Sequence, residues 1–100
     1  MIIQPDAIAH IQFFKTENGG RQGATPSDRF SCIIRIAGRL HDCRFLLDKI
    51  GPVSPGVSIN DVPIKFLNSE SALEGVSEKD EFEILERGII GKGKIIKIMK

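Results

Sequence analysis

Tryptophan and tyrosine are absent, and six phenylalanines are the only aromatic side chains. Surfaces that stack nucleic-acid bases, and the hot spots of protein interfaces, usually display Tyr, Trp or exposed Phe. Here the phenylalanines fall mostly on the apolar phase of strand-like runs, which assigns them to a core. Cysteine is scarce as well, with only Cys32 and Cys43. Two cannot build the disulfide framework of a small secreted domain. They read as reduced, mostly buried thiols acting as small apolar side chains, with one bridge between neighbouring strands as the alternative. No apolar run approaches the ~18 residues that crossing a bilayer takes, so no membrane is expected. The N-terminus lacks the charged-then-apolar order of a signal peptide, and a cytoplasmic address is expected. Met1 and the short leader before Ala7 favour a complete chain. Neither charge sign dominates. A formal net charge of +1 neither draws the chain to nucleic acid nor coats an acidic partner. Any basic patch has to come from local arrangement.

What remains is a chain of 100 residues, enough for one domain, residues 1–100, with a modest core. Apolar side chains alternate with polar ones along most of it. Ala7, Ala9, Ile11 and Phe13 share one face while His10 and Gln12 take the other, which predicts a half-buried strand. Phe30, Cys32, Ile34 and Ile36 oppose Arg29, Ser31 and Arg35, with Ile33 as the exception. Cys43, Phe45 and Leu47 share a face in Arg39–Leu47, and Gly38 joins this run to the previous one as an antiparallel pair. Between the first two strands lies a long loop, Lys15–Ser27, holding Asn18-Gly19-Gly20, Gly23 and Pro26. Long ordered loops are more often functional than short ones.

Gly51-Pro52 and Pro55-Gly56 punctuate the next segment. Two further strands are expected, Val57–Ile59 and Val62–Leu67, with Asn60-Asp61 as a turn between them. Ser71-Ala72-Leu73-Glu74 predicts a helical turn that Gly75 stops. The chain closes with Glu81–Leu85 and Ile90–Ile98, joined by a tight glycine turn. Gly91 and Gly93 permit a bend or close backbone packing, and a slip of apolar phase at Ile95-Ile96 predicts a bulge. Six or seven strands, frequent turns and no substantial helix describe an all-β, closed or nearly closed antiparallel barrel, or a sandwich. No repeat, low-complexity tract or linker divides the chain.

Chemistry is thinly represented. His41 and Cys43 stand on one face of a strand, and His10 and Cys32 are the other soft candidates. A zinc site takes three or four such ligands, and a core-facing Cys43 loses reactivity, so neither a metal nor a nucleophile is expected. Glu78, Asp80, Glu81 and Glu83 read as a solvated strand edge that discourages aggregation rather than as an acid–base set. Gly88-Ile-Ile-Gly-Lys-Gly-Lys94 lacks the spacing, the hydroxyl residue and the following helix of a phosphate loop, so no nucleotide is expected. Lys92, Lys94, Lys97 and Lys100 make a basic final strand, with Arg87 in the turn before it. Together with Arg21 and Arg35 they could line phosphates, or merely guard a strand edge.

Three segments carry a family resemblance. They are Ile11–Arg21 with its Gly-Gly-Arg followed by Pro26 and the strand at Phe30, the turn Val53-Ser-Pro-Gly56, and the ending Phe82-x-Ile84-x-Glu86-x-Gly88 with Gly91-x-Gly93. Their order and separation resemble the third domain of translation elongation factor Tu, a small antiparallel β-barrel, in outline over Ala7–Lys97. Two positions depart from it: Val57 stands where the family has an acidic residue, and the final hairpin is shorter. The resemblance implies a barrel that packs one side against a neighbouring domain and offers a surface to the T-stem of aminoacyl-tRNA. From the RNA-contacting turn only Glu86 and Gly88 carry over, and Arg21 from the glycine loop. The expected function is therefore a non-catalytic protein-interaction module, docking through its barrel face and the Lys15–Ser27 loop. A homo-oligomer or a protein partner is expected, and no cofactor. The alternative is RNA or tRNA binding through Arg21, Arg87, Lys92 and Lys94.

Overall fold

A computed structural model describes residues 3–99. Six strands form: β1 (Ala7–Phe13), β2 (Arg29–Ile36), β3 (Arg39–Leu46), β4 (Ser58–Phe66), β5 (Glu81–Leu85) and β6 (Ile89–Ile98). A 3-10 turn at Thr16–Asn18 and a short helix α1 (Ser69–Leu73) interrupt the loops. The strands close in the order β1-β4-β3-β2-β5-β6, all neighbours antiparallel, with β6 returning to β1. Closure gives every strand two neighbours. The charged side chains of β5 and β6 therefore cannot be edge guards, and that expectation is corrected.

The count is six because Val57–Ile59 and Val62–Leu67 are one strand. Ala9 pairs with Val62 and Ile11 with Ile59, so Asn60 and Asp61 together face His10 alone. Asp61 takes φ 58°, a left-handed conformation that Asp tolerates through its short polar side chain. The Asn60 Oδ1 lies 2.7 Å from His10 Nδ1. The pair that suggests a turn instead makes a bulge, held across the ladder by that hydrogen bond. The slip at Ile95-Ile96 is a second bulge, as its phase implies: Ile8 pairs with Lys97 and Ala9 with Ile95, leaving Ile96 over.

Two hairpins set the rest of the register. Ala37 and Gly38 join β2 to β3 with φ of 52° and 74°, the two positive values of a type I′ turn, whose twist matches the strands. Glu86, Arg87 and Gly88 join β5 to β6, and the Glu86 N–H donates to the Gly88 carbonyl at 3.0 Å. Helix α1 is capped by Asn68, whose Oδ1 accepts from the Ser71 N–H at 3.1 Å.

The inward phase fills the barrel with Ile11, Phe13, Phe30, Ile34, Phe45, Ile64 and Ile84, all buried. Phe13 meets Phe30 edge-on at 5.8 Å between centroids, and Phe30 meets Phe45 at 6.0 Å, geometries that suit the ring quadrupoles. Gly91 and Gly93 permit the approach of β6 to its neighbours. A Cβ on Gly91 would stand 2.6 Å from the Gln12 carbonyl oxygen, and one on Gly93 would run into the Phe82 ring. The terminal strand's glycines are therefore packing residues.

Candidate protein-docking surface

Strand alternation puts Ile34, Cys43, Phe66 and Ile84 inside the barrel. Their neighbours Ile33, Asp42, Leu67 and Leu85 must then face outward. The register sets these four in one row across four strands. Ile33 pairs with Leu85 on one side and Asp42 on the other, and the Leu67 N–H donates to the Asp42 carbonyl at 3.0 Å. Leu40, two residues before Asp42, belongs to the same outer face. Leu67 is 82% exposed and Leu40 60%, while Ile33 and Leu85 are half-buried. This row borders a depression of about 630 Å³ that also touches Glu86.

Charge surrounds the apolar patch. The next row is Ser31, Arg44 and Lys65, with the Lys65 Nζ 3.3 Å from Asp6. On the other side Arg35 is ion-paired with Glu83, and Arg39 donates to the Glu74 carbonyl at 2.8 Å. Asp42, in the middle, makes no ion pair among the described residues. A carboxylate among apolar side chains would be desolvated on docking, a cost that a cation or hydrogen-bond donors from the partner would offset.

Of the residues singled out in the sequence, Arg21 and Glu86 meet. The Arg21 guanidinium donates to Glu86 at 2.7 Å and to the carbonyls of Gly23 and Ala24 at 3.3 and 3.4 Å. Its Cζ sits 4.7 Å from the Phe30 ring centroid, a cation–π contact. Only 19% of the Arg21 side chain is exposed, against 40% for Glu86. Arg21 thus ties the Lys15–Ser27 loop to the β5–β6 turn, beside the depression. Arg87 and Gly88 are exposed in that turn, and Gly88 has an ordinary negative-side φ with open space where a Cβ would stand.

Lys92 and Lys94 belong to a different wall. Lys92 lies directly opposite Glu83 and Lys94 opposite Glu81, so acidic and basic strands balance each other across the ladder. The carboxylates therefore do not cluster: Glu83 pairs with Arg35, and Asp80 accepts the Ser77 N–H at 2.9 Å within its own turn.

The histidines and cysteines also part company. His10 is bonded to Asn60, and the His41 Nε2 is buried without a hydrogen-bond partner. Cys32 and Cys43 are buried and not disulfide-linked, their sulfurs 3.8 Å apart in a thiol–thiol hydrogen bond. The hydrogen bond between them, and then burial, push the Cys32 thiol far above its ordinary pKa. Among the described residues no three of His, Cys, Asp and Glu gather to hold a metal.

The apolar wall itself escapes a search for charged motifs. Its signal was nevertheless present. Ile33, Leu40, Leu67 and Leu85 each sit on the polar phase of their own strand or its extension. No protein-family model matches this chain, and no curated protein matches it either. The molecule is a small closed six-stranded antiparallel barrel.

Proposed function

We propose that this chain is a non-catalytic protein-interaction module that docks another protein chain on the outer wall formed by β5, β2, β3 and β4. The carrying observation is the set of four out-of-phase apolar residues, Ile33, Leu40, Leu67 and Leu85, gathered around Asp42. Isolated surface leucines are common, whereas several apolar side chains on one face with charge around them are a form interaction sites take. The fitting partner presents apolar side chains around a cationic group that reaches Asp42. The loop held by Arg21 borders the same wall and widens the contact.

The likeness to the third domain of elongation factor Tu supports this reading by analogy, since that barrel buries one side against a neighbouring domain. Fold analogy alone does not choose a function. The wall's composition favours protein over RNA, because Arg21, Lys92 and Lys94 all face carboxylates.

The test compares the wild-type chain with Leu67→Asp and Leu40→Asp. Light scattering on the pure protein reads self-association, and quantitative capture from lysate reads a separate partner. A dimer or a retained protein that both substitutions remove, while Lys94→Gln keeps it, supports the proposal. A monomer that retains the same proteins as its Asp variants sinks it.

A further inference from the structure

Cys32 on β2 and Cys43 on β3 are direct register partners, both pointing into the barrel, 8% and 4% exposed. The hairpin fixes the backbone spacing between them. In a two-residue turn such as Ala37-Gly38 the flanking pair, Ile36 and Arg39, is hydrogen-bonded, and bonded pairs recur at every second rung. That series runs through Cys32 and Cys43 and on to Asp28 and Leu47, where the Leu47 N–H donates to the Asp28 carbonyl at 2.6 Å. At a bonded rung the Cα atoms stand about 5.5 Å apart, inside the roughly 4.4–6.8 Å range of disulfides. Cβ atoms at a bonded rung stand toward the wide end of about 4.5–5.5 Å, beyond the roughly 3.5–4.5 Å of a disulfide. Closing the sulfurs from 3.8 Å to a bond of about 2.04 Å therefore draws β2 and β3 slightly together as well as turning the side chains. Both residues also line the outer depression, which gives a small oxidant a route.

We propose that Cys32 and Cys43 form a reversible covalent site, oxidised by a peroxide to an intrachain disulfide that staples β2 to β3. One thiol loses its proton and attacks a peroxide oxygen; the O–O bond breaks, leaving a sulfenic acid and water. The second sulfur attacks the first, forming the S–S bond and breaking S–O, with its proton leaving in a second water. Two electrons pass from the thiols to the peroxide. A dithiol reverses the reaction through a mixed disulfide. The reacting species is the thiolate, so the reaction quickens as pH rises. This site stands independently of the docking reading.

The experiment treats the folded 100-residue chain with hydrogen peroxide, then alkylates remaining thiols in denaturant and measures intact mass. Circular dichroism before and after verifies that the sheet persists. The expected product is a monomer lighter by two hydrogens, unalkylated, yielding a Cys32–Cys43 linked peptide and restored by dithiothreitol. Its formation rate rises with pH, and Cys43→Ser abolishes it. Two alkylated cysteines after prolonged exposure, disulfide-linked dimers, or over-oxidation of one cysteine would each overturn the proposal. The wild-type result decides the matter even where the serine variant fails to fold.

Discussion

Arg21 and Glu86 stand 65 residues apart in the chain and 2.7 Å apart in space, with the arginine packed over Phe30. A loop arginine and a turn glutamate that the sequence offers as surface contacts are in the first place contacts with each other. Removing one side should therefore loosen the loop before it touches any partner.

For Arg21→Ala, the loss combines a half-exposed ion pair of about 0.2–1 kcal/mol with a cation–π contact of about 0.5–1 kcal/mol. Glu86→Gln should cost less, since the stacked guanidinium remains. Urea midpoints check the order, and faster amide exchange across residues 15–27 is expected in both. Unchanged exchange would mean that the loop is held by its backbone alone.

The glycines of the final strand should separate sharply. Gly93→Ala drives a methyl into Phe82, and Gly91→Ala into the Gln12 carbonyl; each should cost at least the roughly 1–3 kcal/mol of overpacking. Gly88→Ala meets open space and should stay within about 0.5 kcal/mol of wild type. Thermal melts of the three variants distinguish these outcomes.

The β2–β3 turn holds a removable strain. Ala37 takes φ 52°, where a Cβ crowds the carbonyl and Asn or Gly is the ordinary choice. Ala37→Asn should stabilise the protein by up to about 1 kcal/mol, which for a domain of this size raises Tm by roughly 4–8 °C. A melt at or below the wild-type temperature would contradict the turn geometry.

Lys92→Glu or Lys94→Glu places like charges opposite Glu83 or Glu81. Each should destabilise by about 0.2–1 kcal/mol, so charge reversal on this wall reports on folding as well as binding. Glutamine is the cleaner probe. Anisotropy of labelled tRNA at low salt should show no change on Lys92→Gln or Lys94→Gln; a salt-sensitive complex that these weaken would favour the RNA reading.

Much of the barrel is legible in the sequence because its alternation is strict. Phe30, Cys32, Ile34 and Ile36 alone fix the inward face of β2. Even the Ile95-Ile96 bulge shows as a slipped phase. Asn60-Asp61 misleads because a left-handed Asp serves a turn and a bulge equally, and only the position of His10 on β1 decides between them. The Lys and Glu strands look like guarded edges because closure is invisible locally: whether β6 meets β1 depends on residues some eighty positions earlier. The proposed docking wall is the converse case. Ile33 is visible as an exception to its own strand, but its kinship with Leu40, Leu67 and Leu85 exists only once four strands are in register.

The most direct measurement is partner binding, or self-association, by the folded Leu67→Asp variant beside wild type. Leu67 is 82% exposed, so the substitution should leave Tm almost unchanged while abolishing the complex. A stable variant that still assembles as the wild type does would contradict the assignment of this wall.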